Sequence, residues 1–152
     1  MAAPEPPIEP AFAPYEHVLR VRYGETDQMG RVHHANFLLY VEEARTRMLS
    51  ALGMPYAEVE RRGVGLVVRD VEIRYRAAAL YDDELSVLTR VSELRSASVA
   101  LGYEILRPAD GTHIASATTR LACVDLRATP PEVCLLPAEL RQAFRRGSAD
   151  GQ

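Results

Sequence analysis

Lysine is missing from this 152-residue chain: all 18 basic residues are arginine. That excludes a Schiff-base lysine and the P-loop lysine of nucleotide hydrolases. Cysteine is scarce. Cys123 and Cys134 form no CxxC pair, so they do not read as a metal site, and reduced cytosolic thiols fit them better than a disulfide. No apolar run nears the roughly 18 residues that span a bilayer, so no stable membrane insertion is expected. A net charge of -3 and a pI near 5.8 leave no basic footprint for nucleic acid. The motifs GxSxG, GxGxxG and HExxH are absent. His33 and His34 are adjacent and would point opposite ways in an extended segment. With only His17 and His113 elsewhere, no metal site is expected, and no cofactor is implied. Met1 to Pro14 carries five of the ten prolines but neither a basic start nor an apolar stretch. It reads as a disordered tail rather than a secretory signal.

What is present is one domain's worth of alternating patterns, placed at residues 15–146 with a short tail at 147–152. Leu19, Val21 and Tyr23 alternate with Val18, Arg20 and Arg22, the period-2 pattern of a half-buried strand over His17 to Tyr23. After a turn at Gly24 to Gly30, Asn36 is placed as the N-cap of a helix running to Leu52. Phe37, Tyr40, Val41, Ala44, Met48, Ala51 and Leu52 project onto one apolar arc, and Gly53 closes the helix. Pro55 to Arg62 reads as a short second helix stopped by Gly63. Strands then follow around Val71–Ala77, Leu85–Val91, Val99–Ile105 and His113–Leu126, the last two joined by a turn at Pro108–Gly111. Their short connections predict antiparallel neighbours in a four-strand meander. Pro137 to Arg146 closes the chain as a terminal helix. An apolar helix stripe on an apolar sheet face is an α+β layer fold.

Chemistry concentrates in YGETDQMGRVHHANF, residues 23–37. From spacing alone Asp27 reads first as a turn-stabilising Asx residue. Its place just before a helix N-terminus, where N–H groups can meet a developing oxyanion, gives it a catalytic reading as well. Cys123, inside a strand pattern, reads as a small buried residue.

The run Val21–Arg45, VRYGETDQMGRVHHANFLLYVEEAR, resembles the opening motif of the 4-hydroxybenzoyl-CoA thioesterase family, in its acyl-CoA thioesterase branch found near bacterial Tol-Pal genes. The resemblance continues through VVRDVEIRYRAAALYDDELSV (67–87) and YEILRPADGTHIASATTRLACVD (103–125). It implies the hotdog fold, a curved antiparallel sheet of about five strands wrapped around one long helix. It implies an acyl-CoA substrate, hydrolysis by Asp27 as nucleophile or base, and a thioester carbonyl polarised by the backbone N–H of His34. Tyr23, Gly30, His33, Asn36 and Arg69 would bind substrate. The site would lie between subunits of a homodimer or homotetramer in the cytoplasm. Arg69, Arg74, Arg76 and Arg95 are the arginines considered for the phosphates of coenzyme A.

Two departures stand out. Alanine replaces proline in Arg76-Ala77-Ala78-Ala79, which would loosen that turn. His33 stands where an aromatic residue is frequent. The rival readings are a hotdog hydratase or dehydratase using His34 with Glu42 or Glu43, and a non-catalytic acyl-CoA-binding module.

Overall fold

The structure, a computed structural model, describes residues 14–149. The expected N-terminal tail, apart from Pro14, lies outside the described residues. The elements are β1 (Tyr15–Arg20), a 3-10 turn (Tyr23–Glu25), α1 (Asn36–Ala51), α2 (Tyr56–Arg61), β2 (Val64–Tyr75), β3 (Glu84–Leu94), β4 (Ser98–Arg107), β5 (Thr112–Asp125), β6 (Glu132–Val133) and α3 (Ala138–Ala149). Strand β1 gives way to the 3-10 turn where the first strand was expected to continue. α3 runs three residues past the expected end, into the segment expected to be tail.

α1 forms because its apolar residues recur at helical spacing and no proline interrupts it. Phe37, Tyr40, Val41, Ala44, Met48 and Leu49 are buried, each of the large ones contributing about 1.5–3 kcal/mol relative to exposure. Leu49 joins this stripe, and Ala51, expected on it, is exposed. Gly53, at φ +85°, turns the chain out of the helix. α1 lies on β1 and β3, and α3 packs on β3.

The sheet is antiparallel throughout, in the order β1-β3-β4-β5-β2, with β6 on β5. It curls around α1 in the hotdog arrangement. Leu85, Val87 and Val91 of β3, Leu101, Tyr103 and Ile105 of β4, and Ala115 and Leu121 of β5 line the core. The small Ala115 and Ala117 face inward, while Ser116 and Thr118 sit at the surface.

Only β3, β4 and β5 form the expected meander. β2 does not pair with β3; it pairs with β5, at the opposite end of the sheet. Residues 76–83 are therefore a crossover rather than a tight turn. The segment is not loose: the Arg76 and Ala77 N–H groups both donate to Ile114 O, at 2.8 and 3.1 Å, and a proline could supply neither bond. β2 also begins seven residues before the expected start, because its alternation changes phase. A bulge at Arg69 shifts the register between Val68 and Asp70, so Leu66 and Val68 share a face with Val71 only across an odd step.

Candidate active site

The turn around Asp27 is a short hairpin. Asp27 N–H donates to Arg31 O at 2.8 Å, and Gly30 N–H donates to Asp27 O at 3.0 Å. Thr26 and Val32 bridge its base. This is a four-residue turn whose last residue is left-handed, a place that favours glycine. Gly30 has φ +77° and open space where a Cβ would stand. Gly30→Ala is expected to cost about 1–2 kcal/mol through the backbone alone, with Gly30→Asn costing less because Asn tolerates this region. Thermal denaturation of the two variants reads the difference; an unchanged Gly30→Ala melting temperature would contradict it.

Half-buried Asp27 does what a turn residue does, but with one oxygen only. Its Oδ1 accepts the Met29 N–H at 2.8 Å and the Arg31 N–H at 3.4 Å. Oδ2 accepts no hydrogen bond among the described residues. The carboxylate is thus oriented by one oxygen while the other stays available.

The helix start departs from the sequence reading. Ala35, not Asn36, is the N-cap, and no side chain caps it. Asn36 instead points Nδ2 at Glu25 O, 2.8 Å away. The N–H groups of Asn36, Phe37 and Leu38 donate to the carbonyls of His33, His34 and Ala35, and the Ala35 N–H donates to His33 Nδ1 at 3.2 Å. The His34 N–H is left over, donating to nothing among the described residues. So the helix end as a whole does not offer free donors, as expected from its position; one peptide does. His33 and His34 do not diverge, because residues 34–35 turn rather than extend. Their rings stack with centroids 4.3 Å apart. Tyr75 fixes residue 34 from β2: its hydroxyl donates to His34 O at 3.0 Å, and its ring meets Phe37 edge-on at 5.4 Å.

The crossover holds the hairpin from the other side. Val32 N–H donates to Ala79 O at 2.8 Å, and Arg31 bridges to Leu80. Arg107 braces the crossover through Ala78 O and Asp83 Oδ2 at 3.1 and 3.0 Å. Tyr23 is 78% exposed and meets Tyr81 edge-on at 5.5 Å. Arg69 is not brought to the hairpin. It lines a cavity of about 120 Å³ with Arg95 and Arg120, among Asp70 and Glu93, and Arg74 lines another with Arg90 and Glu104.

Sequence reasoning passed over Glu25, the one buried charged residue among the described residues. Burial pushes its pKa up. Hydrogen bonds from the Arg22 N–H, the Tyr40 hydroxyl and the Arg22 guanidinium outweigh that and hold it below its ordinary value. The signal lay in Arg22 and Glu25, three residues apart beside an apolar helix start. A folded-state pKa below the unfolded one stabilises fully above about 4.3, the unperturbed value, and that stability is lost as pH falls through the lowered value. Melting temperature should therefore fall less steeply with acid in Glu25→Gln than in the natural protein. Parallel acid profiles would remove Glu25 from the balance.

Among the described residues no three His, Cys, Asp or Glu side chains gather as a metal-binding group, and no helix is long and apolar enough to cross a membrane. Cys123 is buried in β5 and Cys134 half-buried, both free thiols with their sulfurs 3.6 Å apart.

Comparison with known proteins gives a consistent picture. A family model described as the thioesterase-like superfamily matches residues 21–144. The putative acyl-CoA thioesterase YneP of Bacillus subtilis is 36% identical over 126 residues, covering 83% of this chain and 86% of its own. The acyl-CoA thioesterase YbgC of Haemophilus influenzae is 35% identical over 127 residues, covering 83% and 90%. Among solved structures, a hypothetical protein of Thermus thermophilus superposes with a TM-score of 0.80 at 34% identity, over 86% of this chain and 96% of that one. A gentisyl-coenzyme A thioesterase does so at 0.76 and 26%, over 85% and 98%.

Proposed function

The chain belongs to the thioesterase-like superfamily, and we propose that it hydrolyses acyl-CoA thioesters at the Asp27 hairpin. The observation that carries this reading is the pairing of groups on one ordered segment. Asp27 keeps a carboxylate oxygen available, and the His34 N–H is the uncommitted donor beside the helix start. A thioester carbonyl held by that N–H becomes a better electrophile, and the donor meets the negative charge that builds on its oxygen. Asp27 then attacks the carbonyl carbon or takes a proton from an attacking water. The C–S bond breaks and coenzyme A leaves as a thiolate, a leaving group good enough to need no triad; where Asp27 attacks, water then hydrolyses the acyl-Asp27 anhydride to the free acid and restores the carboxylate.

The relatives named as acyl-CoA thioesterases support the substrate class. The motif likeness supports the narrower placement with the 4-hydroxybenzoyl-CoA thioesterases. Tyr23, His33 and the residues of the crossover border the hairpin and are the candidates for contact with substrate. Cys123 and Cys134 stand as free thiols, which suits a reducing compartment and so a cytoplasmic location.

Assembly belongs to the same proposal. β2 is a 12-residue edge strand, and Val67, Val68, Val71 and Tyr75 on it are 42–50% exposed. A long edge strand with exposed valines is a template for pairing, so two copies would join edge to edge into one continuous sheet. Tyr75, which holds residue 34, lies on that strand, so the site would be bordered by the interface.

Free-thiol release from a panel of acyl-CoA thioesters tests the reaction. Release with at least one acyl group is the expected result. A change in enoyl-CoA absorbance without thiol release would replace hydrolysis by hydration.

A further inference from the structure

Glu25 is tied to four residues on three sides. Its Oε1 accepts the Arg22 N–H at 2.8 Å and the Tyr40 hydroxyl at 2.9 Å. Its Oε2 takes the Arg22 guanidinium through Nε at 3.3 Å and Nη2 at 3.1 Å. Its own carbonyl accepts the His33 N–H at 2.9 Å and Asn36 Nδ2 at 2.8 Å. The side chain therefore anchors the hairpin to the end of the β1 segment and to the second turn of α1. The main chain of the same residue anchors the opposite arm of the hairpin, at its junction with the helix.

The placement is what gives these bonds a meaning. Asp27 follows Glu25 by two residues, and His33, held by the Glu25 carbonyl, immediately precedes His34. One residue thus clamps both arms that carry the two groups assigned to the chemistry. Glu25 is buried but its ionic partner Arg22 is exposed, and an ion pair with an exposed partner adds little stability, so packing alone does not call for a carboxylate here. Fixed geometry does, because reacting groups displaced by about 1 Å lose about 10²-fold in rate.

We propose that Glu25 is a positioning residue that sets the Asp27 carboxylate against the His34 N–H, with Tyr40 as its anchor on the helix. This rests on the reading of Asp27 and His34 given above. Glu25 touches no substrate; it acts through the residues it holds.

The test is a double-mutant cycle read by thiol release, with circular dichroism and melting curves as controls. Glu25→Ala should lower kcat by about 30- to 100-fold with KM within about 3-fold, the signature of a group that matters in the transition state. Glu25→Gln retains an acceptor for the Arg22 N–H and Tyr40 and should recover most of that loss. Placed on Asp27→Asn, Glu25→Ala should cost less than about 3-fold further, because residues acting as one unit are not additive. Tyr40→Phe removes only the hydroxyl and should reproduce the pattern at about 5- to 10-fold; it carries the cycle if Glu25→Ala does not fold. Equal losses on the natural and Asp27→Asn backgrounds would overturn the proposal, as would near-normal kcat in both folded Glu25→Ala and Tyr40→Phe when Asp27→Asn is inactive. Near-normal turnover by Asp27→Asn itself would overturn the catalytic reading and this one with it.

Discussion

Asp27→Asn is expected to lower kcat for acyl-CoA hydrolysis by about 10²- to 10⁴-fold, the scale of a positioned acid–base group. The substitution is a clean one in this structure. The turn uses only Oδ1, which accepts the Met29 and Arg31 N–H groups, and an asparagine oxygen can accept both. The amide nitrogen then replaces Oδ2, the oxygen that accepts no bond among the described residues. Asparagine serves an Asx turn as well as aspartate, so a purely local role predicts little change in rate. A catalytic role predicts the large loss, whether the carboxylate attacks the thioester or activates water. Thiol release measured with circular dichroism as control separates the two, and a folded variant turning over near the natural rate would end the assignment.

Charging the free edge of β2 is expected to have the next largest effect. Val68 and Val71 are 42% and 44% exposed in the single chain, so Val68→Glu with Val71→Glu should leave the protomer folded. In an edge-to-edge dimer the same residues approach their symmetry mates, and like charges brought together there oppose pairing. The double variant should elute as a monomer by light scattering. Its kcat/KM should fall by about 10²-fold or more, because the site would lose part of its wall and its geometry. Tyr75, which orders residue 34, sits on this strand and would lose its outer support. A stable monomer with full activity would show that the site is complete within one chain.

Much of this protein was legible before any coordinates. The stripe of α1, the strands at β3 to β5 and the turn before Asn36 follow from local rules: a period of 3.6 or 2, and glycine where φ turns positive. The motif around Asp27 was legible as a motif. Its chemistry was not, since an Asx turn and an active-site carboxylate begin with the same letters. The tertiary structure decided the rest, because each remaining question depends on partners distant in sequence. Periodicity shows that residues 71–75 form a strand but not which strand they pair with; β2 passes over β3 to join β5, and that choice creates the free edge. The phase change at Arg69 is invisible without the register that defines it. Asn36 has the chemistry of an N-cap, yet the Glu25 carbonyl lies within reach and takes its amide. Two adjacent histidines diverge in a strand and stack in a turn, and only the fold says which they occupy. Glu25 carries a charge that belongs at the surface by composition. It is buried because Arg22 and Tyr40 supply the hydrogen bonds that offset its lost water, and those partners meet only when the chain has closed around α1.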